Sequence, residues 1–228
     1  MTQYVKTSFQ LKDQHGQALN GTGGQVHVTA AGDAAKVAIY DKDGVALTNA
    51  RALTAGGVSF YTVSTVTSVD LYIQAPDGQF LVKKTVPTGA YYDLVVNTDN
   101  KQQVFVIPFA AADLTAATET DTGFVLPAHS QVLGKYNGLS VRVSTADAAE
   151  DIDVGTLESG GAGGGDANGF IAANDLDNAT HVIGTEGALF STSLPYLADA
   201  QTEKSISVTT TAGTDTAEGF IFLPVVLE

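Results

Sequence analysis

Runs of residues in which apolar and polar side chains alternate constrain the fold of this chain more than any other feature. LSVRVST (139–145), IDVGTL (152–157) and KSISVTTT (204–211) each send every second residue to the same side. A period of two is the repeat of a β-strand with one buried face, whereas an amphipathic helix repeats every ~3.6 residues. Only ALFSTSLPYLADAQTE (188–203) could contain a short helix, which Pro195 would limit. The sequence therefore predicts an all-β protein.

Turn residues divide the first half of the chain into hairpins. VAIY and VALT flank a turn that contains Asp43-Gly44, and a second pair of short apolar runs flanks Pro76-Asp77-Gly78. Both are turn sequences that join neighbouring antiparallel strands. GVSFYTV (57–63) predicts a further strand, and residues 1–30 predict an edge strand or an arm that reaches another subunit. The spacing indicates a small antiparallel β-sandwich of about 100 residues, of the immunoglobulin-like or transthyretin-like type.

We predict two domains, an N-terminal β-sandwich module with an N-terminal arm over residues 1–103 and a second β-sandwich over residues 104–228. The second half opens with QVFVIPFA, in which a strand from Gln103 to Ile107 is expected to end at Pro108. A change in charge supports the division, because acids and bases are distributed differently on its two sides. The fold class expected is thus two antiparallel sandwiches joined near residue 103.

The second domain is predicted to be jelly-roll-like, with long loops at 109–130 and 157–186. Its last strand, GFIFLPVVL (219–227), is nearly continuously apolar. Such a strand is buried on both faces or lies against a neighbouring subunit. Pro224 within it indicates an edge strand or a bulge.

The net charge of −14 comes entirely from the second half of the chain. Residues 1–103 hold eight acids and eight bases, whereas residues 104–228 hold 17 acids and three bases. An acidic surface repels phosphate, so nucleic acid is not expected as a partner. The sequence has neither an N-terminal apolar segment nor a run approaching 18 apolar residues, so neither an export signal nor a membrane partner is predicted.

The glycine-rich run ESGGAGGGDANGF (158–170) fails the motifs that it superficially resembles. It lacks the third glycine of a dinucleotide fingerprint, and Asp166 stands where a phosphate loop needs lysine. We expect a mobile or tightly turning loop that leads into DANGF, because glycine is costly to order. A loop calcium stays open as an alternative, since hard oxygen ligands can converge from loops. Its ligands would be Asp153, Asp166, Asn168, Asp175 and Asp177.

Catalytic signatures are also missing from the sequence. The chain has no cysteine for a nucleophile or a thiolate metal site, and its four histidines are isolated from one another. It has no G-x-S-x-G elbow, and it has no tryptophan on which a glycosidase substrate would stack. We therefore predict a protein that is not an enzyme and has no cofactor or metal.

Several of these stretches resemble structural proteins of tailed-bacteriophage virions. VAIYDKDGVALTN, GVSFYTV and VDLYIQAPDGQFLVKKTV look like a small β-module of such virions. VFVIPFA, FVLPAHSQVLGKYNGLSVRVSTADAAEDIDVGTLES, GGDANGFIAANDLD and SISVTTTAGTDTAEGFIFLPVVL are similar to virion proteins of the head decoration or cement type. Together the stretches cover most of residues 34–228.

This resemblance implies structural work without catalysis. The expected role is to bind the outer surface of the assembled capsid and to stabilise it. The expected partner is the major capsid protein of the same virion, and the expected state is a homo-oligomer, in particular a trimer. A protein of this kind is made in the host cytoplasm and ends on the outside of the virion.

Six apolar residues are candidates for contact with another subunit or with the capsid, since they lie in the terminal strand and in the expected arm. Burial in the core of the chain itself is the alternative for them. The candidates are Phe220, Phe222, Val225, Val226, Phe9 and Leu11.

Two other functions remain open at this point. A tail fibre or receptor-binding protein would carry exposed aromatic residues on its loops, where Tyr91, Tyr92, Phe170, Phe190 and Tyr196 are the ones to examine. A polysaccharide depolymerase would need a deep pocket that holds two carboxylates.

Overall fold

The structure is a computed structural model of this 228-residue chain. The described residues are 2–21, 23–76, 81–96, 98, 102–110, 118–128, 130–134, 138–146, 151–157, 166–176, 181–182, 187, 196–197, 204–210 and 217–227. They contain β-strands joined by turns, and no α-helix occurs among them. The chain divides into two compact units, Met1–Asn100 and Lys101–Glu228. The predicted all-β fold of packed, mainly antiparallel sheets is confirmed.

The first unit is built from two sheets. Its strands in chain order are β1 (Tyr4–Lys12), β2 (Gln25–Ala30), β3 (Ile39–Tyr40), β4 (Ala46–Leu47), β5 (Arg51–Ala52), β6 (Gly57–Val63), β7 (Ser68–Gln74), β8 (Leu81–Pro87) and β9 (Tyr91–Val95). The first sheet has the order β4-β3-β6-β1-β9 and the second sheet has the order β5-β2-β7-β8. All neighbours are antiparallel except β1 and β9, which run parallel.

The N-terminal strand β1 lies inside the first sheet, where it pairs with β6 on one side and with β9 on the other. The sequence led us to expect an edge strand or an arm here. Thr7, Phe9 and Leu11 alternate along β1 and are buried, so the strand closes the core of its own unit. Its second neighbour lies about eighty residues away in the chain, and no local pattern reveals that pairing.

Both predicted hairpins of the first unit are confirmed. β3 and β4 pair across the Asp41–Val45 turn, in which the Asp41 side chain accepts the backbone N–H of Asp43 and of Val45. Gly44 takes a φ of 80°, a left-handed conformation that glycine adopts without steric cost. β7 and β8 pair over their whole lengths, although the turn residues 77–80 between them lie outside the described part.

The core of the first unit lies between the apolar faces of its two sheets. The first sheet contributes Phe9, Leu11 and Phe60, and the second sheet contributes Val28 and Leu71, all of which are buried. These residues occupy alternate positions of their strands, as the period of two predicts.

The second unit also contains two sheets. Its described strands are β10 (Gln102–Ala110), β11 (Thr120–Leu126), β12 (Gln131–Val132), β13 (Ser140–Thr145), β14 (Asp151–Thr156), β15 (Asp166–Asp175), β16 (His181–Val182), β17 (Tyr196–Leu197), β18 (Lys204–Thr210) and β19 (Glu218–Val226). The third sheet has the order β16-β13-β19-β12-β17, with β10 on the other side of β19, and the fourth has the order β11-β18-β14-β15.

Two prolines lie within strands where the sequence suggested an end, an edge or a bulge. β10 continues through Pro108 to Ala110, and Pro108 pairs with Phe220. A strand with one neighbour tolerates proline where the missing N–H points away from that neighbour. Pro224 lies in the central strand β19, where the neighbour on one side changes from β13 to β12, so no ladder hydrogen bond needs its nitrogen.

The loops predicted at 109–130 and 157–186 contain strands. β11 occupies part of the first region, and β15 and β16 occupy part of the second. DANGF is the beginning of β15, with Asp166 opposite Thr156 of β14. The glycine-rich run itself, residues 158–165, lies outside the described residues. The described part also contains no helix that is long and apolar enough to cross a membrane.

Candidate interaction surface on the first sheet

The outer face of the first sheet carries the polar side chains of β1, β6 and β9, three strands along which polar and apolar residues alternate. Because Thr7, Phe9 and Leu11 point into the core, the residues between them point away from it. Cross-strand pairing extends this face over β6 and β9. The side chains on it are Tyr4, Lys6, Ser8, Gln10 and Lys12 of β1, Ser59 and Tyr61 of β6, and Tyr91, Asp93 and Val95 of β9.

A group of tyrosines lies at one end of this face. The rings of Tyr4 and Tyr40 have centroids 4.9 Å apart and planes tilted by 55°, and Tyr61 pairs with Tyr40 across β3 and β6. Gly44 lies beneath the Tyr4 ring. The next residue, Val45, is therefore near this ring, and it is 61% exposed. We call Tyr4, Tyr40, Val45 and Tyr61 the tyrosine cluster. Such an aromatic surface in contact with solvent is typical of binding sites.

A shallow depression of about 490 Å³ lies further along the same face. Ser8 and Gln10, toward its far end, are four and six residues from Tyr4, which corresponds to about 13 and 20 Å along a strand. Two cationic side chains, an exposed tyrosine and several neutral polar groups line it, and none of the described residues in its lining is acidic. We call this site the cationic depression, and its principal side chains are Lys6, Arg51, Ser8, Ser59, Gln10 and Tyr91.

Hydrogen bonds orient two of these side chains. The Tyr91 hydroxyl donates to Asp93 Oδ1 over 2.9 Å, and Lys12 Nζ lies 2.8 Å from Asp93 Oδ2. The bond to Asp93 raises the pKa of Lys12, and bonds from Lys12 and Tyr91 lower the pKa of Asp93. Gln10 Nε2 donates to the carbonyl of Ala55 over 2.7 Å. The ring of Tyr91 and the amide of Gln10 are therefore held in position.

The outer face of the second sheet is polar as well, but its β2 and β7 residues are buried. His27, Thr29, Asp70, Tyr72 and Gln74 alternate with the apolar core residues of β2 and β7 and are themselves almost fully covered. Segment 31–36 lies over one end of this face, where the Thr29 hydroxyl donates to the carbonyl of Asp33 over 2.8 Å. At the neighbouring position, Lys83 Nζ lies 5.2 Å from the centroid of the Tyr72 ring.

Asp70 is the charged centre of the buried face, with 1% of its side chain exposed. It accepts hydrogen bonds from the Thr85 hydroxyl and from the backbone N–H of Gly32, and Lys83 Nζ lies 3.1 Å from it. Burial by itself raises the pKa of Asp70, but the bonds from Thr85, Gly32 and Lys83 outweigh burial and lower that pKa. The carboxylate is therefore ionised and fully partnered.

His27 lies on the same buried face, with 4% of the residue exposed. Burial, together with the positive charge of Lys36, lowers the pKa of His27 to about 3. The imidazole is thus neutral over the ordinary pH range. It belongs to the packed interior of the first unit.

Most of the predicted contact residues lie in the cores of their units. Phe9, Leu11, Phe220 and Val225 are buried, whereas Phe222 and Val226 are half-buried. A side chain that is buried within its own chain has little surface to offer another molecule. Core burial, the alternative to an intermolecular contact, therefore holds for Phe220 and Val225 of the terminal strand.

The aromatic residues expected of a tail fibre have different environments. Tyr91 is 61% exposed, and Tyr92 is half-buried and donates its hydroxyl to the carbonyl of Pro87 over 2.7 Å. Phe170 is buried in the core of the second unit. Phe190 lies outside the described residues, and Tyr196 is described only as part of β17.

The proposed calcium ligands are not brought together. Asp166 lies opposite Thr156 and Asp175 lies opposite Asp151, at the two ends of the β14–β15 pair. Their partners on β14, Asp151 and Thr156, are five strand positions apart, or about 17 Å, which no single ion can bridge. Asp177 lies outside the described part. No group of three or more histidine, aspartate or glutamate side chains that could hold a metal ion occurs among the described residues.

Sequence reasoning named Tyr91 as a residue to examine but missed the other residues of the exposed face. Tyr4, Lys6, Ser8 and Gln10 are every second residue of YVKTSFQLK, so the alternation contained the signal. Arg51 and Ser59 reach the same site from β5 and β6, and only the assembled unit places them there.

Comparison with known proteins gives no family for this chain. No family model matches it, and no curated protein matches it. Among solved structures, that of BcpA, the major pilin subunit of Bacillus cereus, shares 11% identity over 99% of this chain, with a TM-score of 0.22. The chain spans 59% of the length of that pilin. A likeness this weak carries no argument about fold or function.

Proposed function

We propose that this chain is a non-enzymatic structural protein of a tailed-bacteriophage virion, which binds the outside of the assembled capsid and stabilises it as a decoration, or cement, protein. The resemblance of its strand and turn sequences to such proteins supports the proposal. So does an all-β architecture of two compact units. The major capsid protein is the partner, the protein acts as a homotrimer, and its place is the outer surface of the head.

The tyrosine cluster is the observation that carries this proposal. Tyr4 is 38% exposed on β1, and Val45 is 61% exposed in the β3–β4 turn beside it. Tyrosine is enriched in protein–protein interfaces, where it provides a large contact area at a low cost in conformational entropy. The cluster also belongs to the half of the chain whose charges balance. A neutral docking surface lets many copies bind one shell, while the acidic half stays in solvent and limits aggregation.

The position of the protein in an intact virion tests the proposal most directly. Cryo-electron microscopy should place its density on the outside of the head. Full-length protein should also rebind shells that have been stripped of it, and Tyr4→Ser together with Tyr40→Ser should weaken that binding by about 30-fold or more if the pair is a hot spot.

Lys84→Ser is the matched control for this experiment, because Lys84 is exposed on β8 of the second sheet. It should bind shells as the unchanged protein does. Density on the tail would contradict the proposal, whereas full binding by the double tyrosine variant would contradict the tyrosine cluster as the docking surface.

A receptor-binding role on a phage tail is the second candidate, and the exposure of Tyr91 favours it. Tyr91 lies beside a concave site, as a recognition residue does. Mixing the purified protein with host cells separates the two functions. A receptor-binding protein sediments with the cells, whereas a decoration protein stays in the supernatant.

A further inference from the structure

We infer that the cationic depression binds an acidic saccharide, a sugar that carries a carboxylate group. This is a binding activity beyond the structural role proposed above, and it does not depend on that role. The site lies entirely within the first unit, and its volume of about 490 Å³ is in the range of about 300–1,000 Å³ that small-molecule sites occupy.

The charges in the depression favour an anionic ligand. Lys6 and Arg51 both line it, and neither has an acidic partner within the described part of the chain. Asp93, the acid nearby on the same face, is already engaged by Lys12 and Tyr91. Two cations without counter-charges can bind a carboxylate through charge-assisted hydrogen bonds, and the planar guanidinium of Arg51 can do so in bidentate fashion.

The neutral polar groups of the depression favour hydroxyl groups on the same ligand. Ser8 and Ser59 are opposite one another on β1 and β6, and their hydroxyls make no hydrogen bond within the described residues. A serine hydroxyl both donates and accepts, as a sugar hydroxyl does. Gln10 donates its N–H to Ala55, so its Oε1 stays available to accept a hydrogen bond from a ligand.

Tyr91 provides the apolar part of the site. Tyr91 is 61% exposed, and its hydroxyl is hydrogen-bonded to Asp93, so the ring is held in place while it stays in contact with solvent. The C–H groups on one side of a pyranose can pack against such a ring, and an ordered ring loses little entropy on binding.

A saccharide fits this combination better than an acidic peptide does. A carboxylate-bearing peptide satisfies Lys6 and Arg51, but its side chains offer no array of hydroxyls to Ser8, Ser59 and Gln10. A uronic acid presents a carboxylate, several hydroxyls and an apolar ring surface within one residue. The chemistry of the depression therefore points to an acidic sugar, either free or at the end of a polysaccharide.

Titration of the isotope-labelled, full-length protein by NMR tests this inference. The probes are trigalacturonate, its methyl ester, triglutamate and inorganic phosphate. Trigalacturonate should shift the amide signals of residues that line the depression, saturably and less strongly at high salt. The methyl ester, which lacks the charge on the same rings, should bind about 10-fold or more weakly. A long polygalacturonate should compete with trigalacturonate if polymer ends are also recognised, and should not compete if only the free sugar fits.

Three variants connect the binding to the named side chains. Lys6→Gln and Arg51→Gln should each weaken trigalacturonate binding by about 10-fold, and Tyr91→Ala should do the same through loss of the ring. Lys84→Gln removes an exposed charge from another sheet and should leave binding unchanged. All four positions are exposed, so each variant should unfold at the temperature of the unchanged protein, which circular dichroism can verify.

Four results would overturn the inference: no binding of trigalacturonate, equal binding of its methyl ester, unaltered binding by the lysine and arginine variants, or binding of triglutamate or phosphate as tight as that of the sugar. The last would indicate an acidic protein or a general anion as the ligand. None of these results bears on where the protein lies in a virion, so the proposed structural function is tested separately.

Discussion

The outer faces of the two sheets of the first unit carry polar side chains of similar kinds, but the face of the first sheet is in contact with solvent, whereas that of the second sheet is buried over β2 and β7. Each has an aspartate paired with a lysine, Asp93 with Lys12 on the first sheet and Asp70 with Lys83 on the second. The first carboxylate is 46% exposed and the second is 1% exposed. The same pair of residue types therefore occurs in two dielectric environments.

The difference in burial between the two aspartates gives them different effects on the stability of the unit. A buried carboxylate must keep all its partners, because an uncompensated charge in the interior is costly. An exposed ion pair contributes little to the free energy of unfolding, since water and salt screen it. We therefore expect the face around Asp70 to stabilise the unit, and the binding proposed above concerns the face around Asp93.

Replacement of the two aspartates is the strongest test of this contrast. Asp70→Asn should lower the free energy of unfolding at pH 7 by about 2–4 kcal/mol, because it removes a buried charge to which Lys83, Thr85 and Gly32 all bond. Asp93→Asn is the matched change on the exposed face and should leave that free energy unchanged. Urea denaturation of both variants gives the comparison.

Equal effects of the two substitutions on the free energy of unfolding would contradict the distinction between the two faces.

The free energy of unfolding at acidic pH provides a second measurement. The lowered pKa of Asp70 means that its stabilisation is present above the pKa of the unfolded chain, about 4, and is lost as the pH falls through the folded pKa. The Asp70→Asn variant should lack that loss.

His27 provides the next largest effect. Its pKa is about 3 in the folded chain and about 6.5 in the unfolded chain, so below pH 6.5 the unfolded state binds a proton that the folded state does not. The free energy of unfolding should therefore fall as the pH decreases from 6.5, by at most about 1.4 kcal/mol per pH unit, or about 2–3 kcal/mol at pH 4.5.

A variant without the imidazole isolates this contribution from the titration of the many carboxylates. His27→Gln should flatten the dependence of stability on pH between 6.5 and 4.5, whereas His15→Gln, at an exposed position, should leave it unchanged. A slope that both variants retain would show that His27 is protonated in the folded chain. An NMR titration of the His27 ring checks the pKa directly.

The sequence predicted the strands and hairpins of the first unit well, since alternation and turn chemistry are local. GVSFYTV became β6, and the turn with Gly44 joins β3 to β4. The partner of β1 could not be predicted in this way, because its parallel pairing with β9 is set by the closure of the sheet and not by neighbouring residues.

Burial of a polar face was beyond prediction for a related reason. QVHVTA and SVDLYIQ alternate as a half-exposed strand does, but Asp70 is covered because Gly32 and its neighbours fold back over it. The candidate site illustrates the same limit. Alternation in β1 indicates that Lys6 and Ser8 share a face, but nothing local indicates that Arg51 lies beside them.

The smallest expected effect concerns the turn that supports the exposed face. Ala55 has a φ of 49° and is followed by Gly56 with a φ of 73°, in a tight turn closed by hydrogen bonds between Thr54 and Gly57. Alanine is strained in this left-handed region, where asparagine is tolerated and Asn-Gly is the preferred pair. Ala55→Asn should therefore raise the free energy of unfolding by about 0.5–1 kcal/mol.

Ala55→Val is the control with the opposite expected effect. It should lower the free energy of unfolding, because a β-branched residue is less compatible with a positive φ than alanine is. Both variants keep the backbone carbonyl that accepts the hydrogen bond from Gln10. Ala55→Asn should thus leave trigalacturonate binding unchanged while it stabilises the turn. Loss of binding in that variant would instead mean that the strained turn shapes the cationic depression, and that stability and recognition are coupled on this face.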